Sequence, residues 1–107
     1  MNSIQRLVFK GAIGNMPWAK ITMNEFINAL NENGWREAHN GHIYQRLKER
    51  GARLGIKNPN DLARALSRAK PEKAENGAMQ CVIYSSGGDS CLVYRGNAMI
   101  TFRDTDE

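Results

Sequence analysis

Only two cysteines, Cys81 and Cys91, occur in this 107-residue chain. A single pair excludes the multi-bridge framework of small secreted scaffolds and fits folding in a reducing compartment. No Cys-x-x-Cys spacing occurs, and the only imidazoles are His39 and His42, so a structural zinc has little to build on. Clustered carboxylates are missing from any expected helix or strand, since Asp104 and Asp106 fall in an acidic tail at residues 104–107. The expectation is a chain without metal or cofactor. No apolar run approaches the ~18 residues of a membrane span. The opening MNSIQRLVF lacks the apolar segment and cleavage pattern of a signal peptide, so the chain reads as soluble. GAIGNMPW and Gly87-Gly88-Asp89 are too sparse in glycine for a phosphate-cradling loop, which leaves nucleotide binding without support.

What the chain does have is positive charge. Lys and Arg number 15 against 11 acids, and three of those acids, Asp104, Asp106 and Glu107, crowd the last four positions. The remaining body is therefore more basic still, the electrostatic footprint expected of a nucleic-acid binder. With 41% apolar residues, the length suits one domain with one modest core.

The first half, residues 22–70, reads helical after an N-terminal segment over 1–20. Thr22 followed by Glu25 is a capping-box pair, Met23, Phe26, Ile27 and Leu30 recur at helical spacing, and Gly34 stops the run. A second helix is expected from about residue 40 to 54, with Ile43, Leu47 and Leu54 as its buried seam and Gly55 after it. Asn58-Pro59 caps a third, whose stripe is Leu62, Leu66 and Ala69 and which Pro71 closes. Residues 4–9 add either a strand or a short helix.

From residue 78 to 104 the period changes to alternation, and MQCVIYSSGGDSCLVYRGNAMITF reads as three antiparallel strands joined at Gly87-Gly88 and Gly96-Asn97. The expected fold is α+β, with N-terminal helices packed on a small C-terminal antiparallel sheet. If both turns are two-residue loops, Val82, Tyr84, Cys91, Val93, Ile100 and Phe102 share one face, and Cys81, Ile83, Leu92, Tyr94, Met99, Thr101 and Arg103 share the other. The first set is the more apolar and is expected to pack on the helices. The second presents a phenol, a hydroxyl and a guanidinium.

The stretch HNGHIYQRLKERGARLGI, residues 39–56, holds both histidines together with Arg46, Arg50 and Arg53. His42 and Arg46 are four apart on the expected helix and so share a face. Such a row can hold a phosphodiester while the imidazole exchanges a proton. The plain alternative is a solvated helix face with a histidine at its start. Tyr94, Thr101 and Arg103 can each donate to a phosphate oxygen, although Tyr94 and Thr101 could equally serve as cross-strand pairs. His39 is expected in the loop before the helix, and Trp18 and Trp35 either stack on a base or belong to the core.

The order of parts, a helical half carrying HIYQRLKERG and GIKNPNDLARAL followed by a meander ending in AMITFRD, resembles the Barnase–EndoU–Colicin–RelE superfamily of small ribonucleases. Within it, the chain looks most like the toxin domains at the C-termini of contact-dependent growth inhibition proteins and related polymorphic toxins. The likeness covers residues 20–104 and rests on His, Arg four residues on, ERG, a short helix, and a last strand with Thr-aromatic-Arg. It implies a metal-independent endoribonuclease, often a tRNase, and the reaction expected of these residues is 2′-OH attack on the adjacent phosphate to leave a 2′,3′-cyclic phosphate. It also implies delivery to the cytoplasm of a target bacterium as part of a larger secreted or cell-surface protein. A cognate immunity protein would neutralise it, and some tRNA-cleaving relatives require elongation factor Tu. His42, Arg46, Tyr94, Thr101 and Arg103 match the catalytic positions, while His39, Lys48, Arg50 and Arg53 would contact the RNA. A non-catalytic RNA-binding or translation-regulating module is the alternative reading of the same basic strip.

Overall fold

The computed structural model describes residues 7–105. Two short 3-10 turns, Gly11–Asn15 and Trp18–Lys20, lead into helix α1, Met23–Glu32. The capping box closes as its residue types require: Thr22 N–H donates to Glu25 Oε1 at 2.8 Å, and Glu25 N–H donates to Thr22 Oγ1 at 3.1 Å. Phe26, Ala29 and Leu30 form the buried stripe, while Met23 stays partly exposed. Of the opening segment over 4–9, residues 7–9 are neither helix nor strand and the rest lies outside the described residues.

Helix α2 is His42–Arg50, four residues shorter at its C-terminus than the expected 54. The chain turns back on itself there: Ile56 N–H donates to Gly51 O at 2.8 Å, and the Trp18 indole N–H donates to Ile56 O at 2.8 Å. Only glycine fits position 51, because a Cβ would sit 2.5 Å from both Ile56 O and Leu47 O. Leu54 is nevertheless fully buried, so its place in the core does not depend on its being helical. Helix α3, Pro59–Arg68, begins as its sequence predicts, with Asn58 Oδ1 accepting from Asp61 N–H at 2.9 Å and proline in its first turn. No helix among the described residues is long and apolar enough to cross a membrane.

Among the described residues the sheet is mixed and has five strands rather than three. They are β1 (Arg36–Glu37), β2 (Pro71–Lys73), β3 (Met79–Ile83), β4 (Ser90–Arg95) and β5 (Ala98–Asp104), in the spatial order β1-β5-β4-β3-β2. All neighbours are antiparallel except β1 and β5, which run parallel through Arg36–Ala98 and Glu37–Met99. Strands of two and three residues are too short to show a period. Pro71, expected only to end α3, also opens the edge strand β2, a position where its missing N–H is tolerated. Asp104, expected in a solvated tail, is the last residue of β5.

The expected assignment of sheet faces needs correcting. The β4–β5 turn is the two-residue Gly96-Asn97 loop, but the β3–β4 connection spans 84–89, and a bulge at Val93/Tyr94 leaves Ile100 unpaired. Val93 then opposes Thr101 rather than Ile100, and everything beyond the bulge changes sides relative to the expected register. The helices pack on the face of Cys81, Ile83, Leu92, Tyr94, Met99 and Phe102, not on that of Val82, Cys91 and Val93. That buried face joins Phe26, Leu30, Ile43, Leu47 and Leu62 in one core. The other face carries Gln80, Val82, Cys91, Val93, Thr101 and Arg103. Both cysteines are unbridged thiols on opposite faces, and burial pushes the Cys81 thiol up to about 11.

Candidate functional site

The first turn of α2 meets β5 where β1 ends. Beyond Met99, whose carbonyl accepts from Ala38 N–H at 2.8 Å, β5 has no further partner from β1 among the described residues. His42, the first residue of α2, reaches this edge and places Nε2 3.1 Å from Thr101 Oγ1. The Thr101 hydroxyl donates to a neutral Nε2 or, in the other tautomer, accepts from its N–H. His39 lies in the preceding loop, its carbonyl accepting from His42 N–H at 2.9 Å and its ring centroid 6.2 Å from that of His42.

Two residues hold that turn in place. Gly41 has φ 81°, and a Cβ there would approach Met23 Sδ to 2.6 Å. Glycine supplies no capping side chain, so a residue from β1 takes over: Glu37 Oε1 accepts from Ile43 N–H at 2.7 Å. Partial burial holds the Glu37 carboxyl above its usual range, against the lowering pull of the N–H groups of Ile43, Tyr44 and Gly41. Its Oε2 is buried without a hydrogen-bond partner. Glu37 escaped the sequence reading. The signal was Gly41 at a helix start with no capping side chain of its own, which leaves helix N–H groups needing an acceptor from elsewhere.

His42 is held below its ordinary value, first by partial desolvation and then by the positive charge of Arg46, with His39 and Arg50 adding to it and Glu49 opposing. Near neutral pH it is therefore an unprotonated imidazole able to accept a proton. Arg46, one turn on, is half-buried and pairs with Glu49 at 3.2 Å, while Gln45 holds the other Glu49 oxygen at 3.0 Å. An exposed pair of this kind is weak, so the guanidinium can exchange Glu49 for a phosphate. Arg50 is half-buried along the same helix. Lys48 lies 5.8 Å from the Tyr44 ring centroid, and Arg53 donates to Asp104 at 3.0 Å, tying the turn after α2 to the end of β5.

Five positions expected to act together are divided. His42 and Thr101 are in contact, Arg46 lies on the same helix face as His42, and Arg103 lies two residues beyond Thr101 on the same sheet face. Tyr94 is not with them. It is buried on the helix-packed face, edge-on to Trp35 with centroids 5.6 Å apart, and burial beside Cys81 holds its phenol above the usual range. Trp18 and Trp35 are both core residues, which settles their two readings in favour of packing.

The open face of the sheet forms a groove of about 1180 Å³ beside this contact. Thr101, Arg103, His39 and Gln80 line it together with Arg36, Lys73 and Arg95, three cations that the sequence reading did not single out. Arg36 reaches it because β1 adds to the sheet edge, and Arg95 because it ends β4, where its guanidinium donates to Asn76 O. Glu75 is the one carboxylate lining the groove among the described residues. A neutral imidazole, a hydroxyl and a set of guanidiniums along a concave basic surface can accept a proton and stabilise negative charge on a phosphate. The chain matches no protein-family model, no curated protein and no solved structure.

Proposed function

We propose that the protein is a metal-independent endoribonuclease with tRNA as its substrate. The observation that carries this reading is the His42 Nε2 to Thr101 Oγ1 contact at the lip of the basic groove. The Thr101 hydroxyl marks where a ribose 2′-OH would meet the same nitrogen. His42 takes the 2′-OH proton, the 2′-oxygen bonds to the adjacent phosphorus, and the bond to the 5′-oxygen breaks as that oxygen takes a proton from solvent water. The products are a 2′,3′-cyclic phosphate and a 5′-hydroxyl. Arg46 and Arg103 offset the charge building on the phosphoryl oxygens, a role in which losing one donor costs ~10²- to 10³-fold. His39, Lys48, Arg50 and Arg53 steer the backbone. The resemblance to polymorphic toxin domains supports an antibacterial role with a cognate immunity protein, delivery within a larger secreted or cell-surface protein, and action in the target cytoplasm. It also names elongation factor Tu as a host factor to test.

The test is incubation of the chain with total tRNA in EDTA, with and without bacterial extract or purified elongation factor Tu. Discrete fragments bearing cyclic phosphate ends are expected, reduced at least ~100-fold by His42→Ala. Intact tRNA under every condition, or undiminished cleavage by His42→Ala, overturns the reading. Tight RNA binding without any cleavage would favour the non-catalytic module.

A further inference from the structure

Tyr84 is the one exposed aromatic side chain among the described residues; it is 79% exposed, while every other Phe, Trp and Tyr is buried. It lies one alternation step beyond Val82 on the open-face side of β3, just past the end of the strand. A phenol ring left in water at the end of a strand forgoes the burial that accounts for the others. It also lines a groove of about 810 Å³ between α3 and the end of β3, whose other wall presents Arg64, Arg68 and Lys70.

The charges in this groove are not balanced. Asp61 is committed to the start of α3, where it accepts from Lys57 N–H at 2.9 Å and from Arg64. Glu72 accepts from Gln80 Nε2 at 2.8 Å. Arg68 and Lys70, both exposed, have no ion-pair partner among the described residues. Arg64, Arg68 and Lys70 still outnumber the two carboxylates, and an exposed ring beside this net positive charge matches the two needs of single-stranded nucleic acid, a stacking surface for a base and positive charge for the flanking phosphates.

This groove and the one beside His42 approach each other along β3. Gln80 lines the groove beside His42, and Val82, the next residue on the same face of β3, lines the α3–β3 groove. They stand across β4 from Thr101 and Arg103 respectively. Two strand spacings, about 10 Å, separate β5 from β3, and about 13 Å of chain separate Gln80 from Tyr84. These spacings are short enough for one strand of RNA to reach both the His42 edge and Tyr84.

We propose that the α3–β3 groove is a second contact for single-stranded RNA, in which Tyr84 stacks on an unpaired base and Arg68 and Lys70 hold the phosphates beside it. The proposal rests on the RNA reading above and adds to it a requirement for an unpaired segment away from the cleaved bond.

The test uses the full chain carrying His42→Ala, so that RNA is bound and not consumed, with a fluorescently labelled, unstructured 12-nucleotide RNA followed by anisotropy. Adding Tyr84→Ala is expected to weaken binding by about 5- to 100-fold, whereas Tyr84→Phe keeps the ring and the affinity. A blunt RNA duplex should be bound equally with and without the Tyr84→Ala substitution. Arg68→Ala with Lys70→Ala should make the slope of log affinity against log salt shallower by about 1.4. Unchanged single-strand affinity in the Tyr84→Ala protein overturns the proposal while leaving the nuclease reading intact. An absence of RNA binding by the His42→Ala chain, together with uncut tRNA in the cleavage assay, overturns both.

Discussion

At His42 the local surroundings work against a proton. Partial desolvation disfavours the imidazolium, and Arg46, His39 and Arg50 reinforce it. If His42 accepts the 2′-OH proton, kcat/KM falls on the acid side with an inflection below 6.5, the ordinary histidine value. Arg46→Gln removes a charge that lowers the His42 pKa, so the inflection moves up. NMR titration of the imidazole reads the same shift without depending on cleavage. An inflection that stays put in Arg46→Gln would break the link between this field and the reaction. The assignment also explains why His39 and His42, three residues apart, are not equivalent: His39 is an exposed loop residue, whereas His42 is held against Thr101.

At the scale of elements, α2 is placed by groups from three others: Met23 of α1 against Gly41, Glu37 of β1 capping Ile43, and Thr101 of β5 against His42. Glu37 carries a linkage consequence. Its carboxyl pKa is raised above 4.5 in the folded chain, so the native state binds that proton more tightly than the unfolded state does. The Glu37 contribution therefore lowers stability as pH rises from 4.5 through the folded value. Glu37→Gln keeps an acceptor for Ile43 N–H and removes the ionisation. Urea denaturation from about pH 4 to 7 should show the variant gaining stability relative to the parent as pH increases, and a constant difference would refute the assignment. The Ile100 bulge is a second device at this scale. Were Ile100 instead paired with Val93 in a regular ladder, Phe102 and Thr101 would exchange faces, the aromatic ring would leave the core, and Thr101 would lose His42.

Across the whole molecule, one core joins the helices to the sheet, and Phe102 is fully buried within it. Phe102→Ala is expected to cost about 3–5 kcal/mol, a large share of the ~5–15 kcal/mol that stabilises a typical domain. A midpoint shift in urea with unchanged slope checks this. The same strand carries Thr101 and Arg103 on its other side, so the stability of β5 and the geometry of the site are coupled through the pleat. The basic residues are likewise distributed by the tertiary structure: Arg36, Lys73 and Arg95 come from three strands into one groove, although no sequence run brings them together.

The starts of α1 and α3 were legible in the linear chain, because their signals are local: Thr22 with Glu25, and Asn58 followed by Pro59. So were the helical-to-alternating switch after α3, the Gly96-Asn97 turn, and the placing of His42 and Arg46 on one helical face, all of which are local. The sheet faces, the two short strands and the Glu37 cap emerged only on folding. A bulge shifts register by one residue without leaving a composition signal, and strands of two or three residues show no period. A cap supplied from another element depends on distances that close only when the chain is folded. For the same reason Tyr94, a site residue by alternation, became a core residue, while Thr101 kept its place beside His42.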